Sequence, residues 1–341
     1  MSKLLSRKVL VPTAIVVAAF VLSSLLRIPK VVLPEIKIAP EPVLHLFGFP
    51  ISNTLLATWL TMLILIVGSW AITRKMKMVP GRLQAMLEMI IEAMYKLVEG
   101  AAGHEWARRF FPIVMTIFAF LLVSNWLGLT PLYSTWGVLE KAEEPGKGYP
   151  VQWLNDSHTV GIWVRSTPSQ AEAMADSSAE EQERYILAPM FRSAATDMNT
   201  TIALALISVV LTQYFGFKAL GAPYFGKFVA VGRIGRAFTK PGLGCGGRIG
   251  TFFMGIIDLF VGLIETVSEF GKIISFSFRL FGNIAAGEVL LGVIAFLIPY
   301  FISLPFFGLE LFVGFVQALV FMMLSVAFFV TAISSHGGEE H

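Results

Sequence analysis

Arg279 lies in an apolar run from about Phe252 to Leu304, within the stretch Ser275-Phe-Ser-Phe-Arg279-Leu-Phe-Gly-Asn283-Ile-Ala-Ala-Gly-Glu288. An arginine keeps its proton in a protein, so it cannot escape a low-dielectric setting by becoming neutral. At mid-membrane it costs roughly 2.5–3.5 kcal/mol on insertion scales. A cation kept there is expected to use its charge, and the chemistry that suits it is the movement of ions or protons.

The neighbouring polar residues are ordered. Glu265, Ser268, Lys272, Ser275, Arg279 and Asn283 follow at steps of three or four. At 3.6 residues per turn they form one stripe on a helix whose other sides are Phe, Ile, Leu and Val. Such a helix turns its polar face to a protein partner or to water. The plain alternative is that Glu265 and Lys272 reach to an interface and Ser275 bonds its own backbone. That alternative does not extend to Arg279, deep in the run. Gly282, Ala285, Ala286 and Gly287 beside it would admit another helix closely. A thinner stripe follows in the last apolar segment, where Glu310, Gly314, Gln317 and Phe321 share a face. Gln317 by itself would suit an interhelical hydrogen bond. Glu288 and Glu310 are acids in apolar sequence, a setting in which carboxyls usually pair or line proton routes.

The elements that must hold these residues are membrane helices. Of 341 residues 55% are hydrophobic and 14% charged, and the mean hydropathy is +0.72. A soluble domain would be about a quarter charged. Apolar segments fall at 9–26, 53–72, 110–130, 199–217, 252–298 and 300–333. About 20 residues of helix cross the hydrocarbon core, and 45 residues would reach nearly 70 Å. The last two are therefore expected to be broken or strongly tilted, with Pro299 and Pro305 at the turn between them. The first segment, preceded by Lys3, Arg7 and Lys8, also has the look of a signal peptide. No small-x-small cleavage site precedes Arg27, and an uncleaved helix is the expectation. Residues 80–104 are less apolar and amphipathic, with Pro80 at the start, and are expected to lie on the membrane surface.

Loop charge orients the chain. Lys3, Arg7 and Lys8; Arg74, Lys75, Lys77 and Arg82; and the acid-free 218–248 loop with Lys218, Lys227, Arg233, Arg236, Lys240 and Arg248 are expected in the cytoplasm. The acid-rich insert at 134–195, with Glu140, Glu143, Glu144, Asp156, Glu172, Asp176, Glu180, Glu181 and Glu183, is expected outside. The fold expected is thus all-α and integral to the membrane: about six membrane helices with both termini inside, one interfacial helix, and a long tilted hairpin at 252–335. The single Cys245 excludes an intramolecular disulfide.

In these residues the chain resembles subunit a of the bacterial rotary F-type ATP synthase. The resemblance rests on Arg279-Leu-Phe-Gly-Asn283, Ala286-Gly-Glu288 and Gln317-Ala. It extends to Val79-Pro-Gly-Arg-Leu-Gln-Ala-Met-Leu-Glu88, to Asn125 with Leu129-Thr-Pro131, and to Ala195-Thr-Asp197-Met-Asn199-Thr-Thr. It covers about 50–333 in order. The insert is longer and more acidic than the family's usual connection, the 9–26 segment precedes the common core, and Glu310 stands where some members carry histidine.

The resemblance implies a non-catalytic, proton-translocating subunit in the inner membrane, without cofactor or metal. It implies as partners a c-ring of small hairpin subunits with a membrane carboxylate each, a peripheral-stalk subunit b, the rest of the complex and lipid, and no nucleic acid. Two offset half-channels would meet the ring. Arg279 would keep each passing carboxylate ionised and bar a direct leak. By position, Asp197 and Asn199, just after the acidic insert, are expected to join Glu288, Glu310 and Gln317 in the outer half-channel, and Glu265, Ser268, Lys272 and Ser275, between the basic loop and Arg279, to line the inner one. Asn283 is expected on the proton path.

Other classes remain open at this level. A secondary transporter would carry internal repeats with paired broken helices, which the two halves of the chain lack, and a cation channel subunit is a further alternative. A structural anchor would not require Arg279 with two membrane glutamates. Gly242-Leu-Gly-Cys-Gly-Gly-Arg-Ile-Gly250 follows no strand and has no Gly-Lys-Ser/Thr, so it is expected to be a flexible connector, not a nucleotide site. The tail His336-Gly-Gly-Glu-Glu-His341 is expected to be frayed rather than metal-binding.

Overall fold

Asn53 to Thr73 carries no charge and forms α1, whose 21 residues span about 30 Å at 1.5 Å each. It is preceded by a hairpin, β1 (Pro42–Leu46) paired antiparallel with β2 (Phe49–Ser52) and turned at Gly48, where φ is 86°. Ser52 Oγ accepts from Leu55 N at 3.3 Å and caps α1. The computed structural model describes residues 39–46, 48–74, 76–130, 133, 136–141, 151–153, 161–163, 185–228, 245–297 and 303–334. The expected helix at 9–26, most of the acidic insert, the middle of the basic loop, Pro299 and the polar tail lie outside these residues.

Helix α2 runs Arg82–Gly128 and is broken at Gly103, with φ 74° and ψ 162°. Only glycine adopts that region without strain. The break falls at the end of the expected surface helix and separates it from the apolar segment that follows. Helix α3 (Met198–Leu220) starts at Asp197, whose side chain accepts from Asn199 N, and stops at Gly221, whose N–H bonds Phe217 O. Helices α4 (Cys245–Leu297) and α5 (Ser303–Ile333) complete the chain. Five helices among the described residues are long and apolar enough to cross a membrane. The protein is a mostly helical, multi-pass membrane protein.

Three details depart from the sequence expectation. The insert contains β3 (Gly137–Lys141), β4 (Val151–Trp153), β5 (Gly161–Trp163) and β6 (Tyr185–Pro189). β3 pairs antiparallel with β6 from Gly137↔Pro189 to Lys141↔Tyr185, and β4 pairs with β5. The ladder ties together the two ends of the insert, and the aliphatic run Tyr185–Met190 is its second strand. Helix α4 also begins at Cys245, inside the segment expected to be a flexible connector. Pro305, expected in the turn, sits in the first turn of α5, where its missing N–H removes no helical bond.

The chain forms two compact units. The first contains residues up to Leu60, Ser124–Thr196 and Asn283–Gly314. Trp126 Nε1 donates to Leu311 O at 3.1 Å, Asn125 Nδ2 to Gly314 O at 3.3 Å, and Asn53 Nδ2 to Pro189 O at 3.4 Å. The second unit contains Thr61–Val123, Asp197–Gly282 and Phe315–His341. Its core is a triangle of rings, Phe110, Phe215 and Phe329, with centroids 4.7, 5.2 and 5.1 Å apart. Ser208 Oγ bonds the buried Ser325 Oγ at 2.9 Å. Phe110 is fully buried, so Phe110→Ala should cost about 3–5 kcal/mol. A lowered thermal midpoint of the detergent-solubilised protein would register this, and an unchanged midpoint would remove the triangle as a source of stability.

Candidate functional site

In the second unit α4 presents two unlike sides. Phe276, Ser277 and Leu280 are buried, and the Phe276 ring lies 4.8 Å from Phe321 and 5.0 Å from Phe328 of α5. This packing leaves the flanks and the far side of the helix outward. Ser268, Ser275 and Arg279 are exposed there. Apolar Phe260, Val267, Phe270, Ile274 and Phe278 are exposed as well. A Cβ added at Gly271 or Gly282 would meet nothing within 4 Å. Arg279 forms no hydrogen bond or ion pair with the described residues. A fixed charge thus stands on an apolar outer surface that lipid alone would solvate poorly.

The stripe read from the sequence is not uniform. Lys272 is half-buried, its Nζ 2.7 Å from Glu269 Oε1 and 5.0 Å from the centroid of the Phe328 ring. Glu265 is half-buried too. Lys272 is therefore held by a neighbour one turn back and by an aromatic face. Glu269, which the sequence reading passed over, is only 7% exposed. Tyr224, in the 3-10 turn Ala222–Lys227, donates to Gln213 Oε1 at 2.7 Å. Its ring occupies the space that a side chain at Gly216 would need. Burial, reinforced by the Glu269 and Glu265 carboxylates, pushes the Tyr224 hydroxyl up to about 12.

The first unit holds a cavity of about 220 Å³. At about 30 Å³ per water it has room for several. Its walls come from the end of α2 (Asn125, Gly128), the end of the insert (Pro189–Thr196), α4 (Ile284, Glu288, Leu291) and α5 (Phe307, Glu310, Gly314). Glu310 is 8% exposed and forms no hydrogen bond or ion pair among the described residues. Its carboxylate lies against Gly287, where a methyl group would overlap it. Glu288 is bound instead. Arg192 Nε reaches both of its oxygens at 3.1 Å, and Nη2 reaches Oε2 at 3.0 Å. Arg192 escaped the sequence reading because its partner is 96 positions away. The one hint was a basic residue at the end of an acidic insert.

Of the other expected site residues, Asp197 is buried and caps α3, while Asn199 is exposed. Asn283 is exposed in the first unit, and Gln317 is 4% exposed in the second. Along α5 the face Glu310, Gly314, Gln317 and Phe321 is buried at all four positions. Glu288 and Glu310 thus share one cavity, and Ser268, Ser275 and Arg279 share one outer face.

The family model described as ATP synthase A chain matches residues 55–330. The chain is also 28% identical over 307 residues to ATP synthase subunit a of Desulforamulus reducens, covering 87% of this chain and 85% of that one. With this match over an apolar helical chain, the protein belongs to the ATP synthase A chain family, the proton-translocating stator subunits that work with the c-ring in the membrane sector of the ATP synthase.

Proposed function

We propose that Arg279 is the charge past which each ring carboxylate moves, and that it separates two proton half-channels. The observation that carries this reading is the exposed guanidinium without a partner among the described residues, on an outer flank of α4. A carboxylate arriving there gains a partner that never deprotonates and so stays ionised while it passes. The same fixed cation repels hydronium and opposes a direct leak. Each proton carried round the ring captures about 2.3 kcal/mol per 100 mV, which a leak would dissipate.

The cavity with Glu288 and Glu310 belongs to the outer half-channel on this reading. Its support is that residues 189–196, at the end of the acidic insert, form part of its wall. The insert is the side assigned to the exterior by loop charge. Asp197, Asn199, Asn283 and Gln317 serve the same route. Ser268, Ser275 and the half-buried Glu265 and Lys272 serve the inner route, on the side of the basic 218–248 loop. The chain sits in the inner membrane of a bacterium with both termini in the cytoplasm, and the peripheral-stalk subunit b holds it against rotation.

Replacing Arg279 by Gln should lower ATP synthesis at least about a hundredfold, the scale of losing a preorganised charge, with the complex still assembled. Arg279→Lys should recover little, since a compact, deprotonatable ammonium replaces the planar fork. Near-normal synthesis in membranes carrying Arg279→Gln would end the proposal.

The two sides of α4 also differ in a way that thiol labelling reads. In a Cys245→Ser background, cysteines at Ser268 and Ser275 should react with a water-soluble maleimide in the assembled complex. Cysteines at Phe276 and Ser277 should stay protected. Equal labelling of all four positions would contradict the orientation of the helix.

A further inference from the structure

We infer that the turn between α1 and α2 is a binding site for the headgroup of an anionic phospholipid. The inference stands apart from Arg279 and the half-channels, so either can fail without the other. The sequence Arg74-Lys-Met-Lys77-Met-Val-Pro-Gly-Arg82 carries four cations, and no acid occurs between Glu41 and Glu88. Arg74, Lys77 and Arg82 are exposed. So are the apolar side chains between them, Met76 at 57%, Val79 at 83% and Met78 in full. In water alone these three would gain nothing from such exposure. An anionic phospholipid meets both needs, with a phosphate for the cations and an acyl boundary for the apolar groups.

The level of the turn is set by α1. Its 21 residues match the thickness of the hydrocarbon core, and from Met62 to Thr73 none is buried by the chain's own packing. Trp70 is 59% exposed, and the Arg74 guanidinium lies 5.0 Å from its ring centroid. A tryptophan with a cation one turn further on is the arrangement that anchors a helix end at headgroup level. The turn is also held in shape. Gln84 Oε1 accepts from Lys77 N at 3.2 Å, while Gln84 Nε2 donates to Lys77 O at 3.0 Å and to Glu88 Oε1 at 2.7 Å. This clasp fixes the backbone between Met76 and Met78 against the first turn of α2, and it engages the nearest acid. A preset turn loses less freedom on binding than a loose one. The competing occupant is a protein subunit, but the Trp70–Arg74 anchor and the uncovered end of α1 favour lipid.

The test uses the intact complex in phosphatidylcholine liposomes with a trace of diazirine-bearing lipid, either phosphatidylglycerol or phosphatidylcholine, and maps the crosslinked residues. At 76–79 phosphatidylglycerol should be preferred at least about a hundredfold, given about fivefold per cation. Leu63, exposed on α1 three turns before Arg74, should be labelled by both lipids alike. Arg74→Gln, Lys77→Gln and Arg82→Gln should each lower the preference about fivefold, and the triple variant should keep only about a fivefold preference, through Lys75. Gln84→Leu retains every cation but opens the clasp, and should lower the preference at least about threefold. Inorganic phosphate added at constant ionic strength should not compete.

Equal labelling by the two lipids at 76–79, or an unchanged preference in the triple variant, would overturn the inference. So would an unchanged preference in Gln84→Leu, which would reduce the turn to diffuse surface charge. Competition by inorganic phosphate would show a site for the free anion and overturn the lipid assignment. If the triple variant does not assemble, the three single variants decide in the same way. A turn labelled by neither lipid, and shielded at Met78→Cys from a water-soluble maleimide in the lipid-stripped complex, would place a protein subunit there and likewise overturn it.

Discussion

A guanidinium placed in hydrocarbon has no neutral form to retreat to. It must be met by an opposite charge, by water, or by dipoles. The turns of α4 around Arg279 supply no partner among the described residues, and the Phe276 side of the helix is packed on the rings of Phe321 and Phe328. Among the described residues the charge has no hydrogen-bond or ion-pair partner. On the function proposed for Arg279, that partner is a ring carboxylate that arrives, stays ionised for the passage, and leaves. A cation already paired within its own subunit could not do this.

Lys272 and Glu288 are treated differently. Lys272 is matched to Glu269 and laid over the Phe328 ring. Glu288 is gripped by Arg192. These pairs neutralise locally and lower the cost of keeping ions in an apolar protein. Arg279 on the outer face and Glu310 in the cavity lack that neutralisation among the described residues.

Much of this could be read from the chain itself. The uncharged run at 53–72 became α1, and Asp197 with Gly221 bounded α3 within a few residues of the apolar segment. The change from amphipathic to apolar near residue 104 coincides with the backbone break at Gly103. The buried face Glu310–Phe321 followed from spacing alone. What escaped were contacts between residues distant in sequence. Nothing periodic links Arg192 to Glu288, or Tyr185–Pro189 to Gly137–Lys141. The helical start at Cys245 was hidden by glycines whose propensity argues for a loop. Lys272 shared the angular position of Arg279 on the stripe but not its exposure, because Phe328 of α5 covers it.

The most direct test of the central claim is a map of the intact membrane complex in which the Arg279 side of α4 can be followed to its nearest neighbour. The account predicts a ring carboxylate within about 4 Å of the guanidinium, the range of an ion pair, with Ser268 and Ser275 along the same interface. A ring seated on the Phe276 side of α4, or Arg279 directed into lipid with no ring carboxylate in reach, would contradict it.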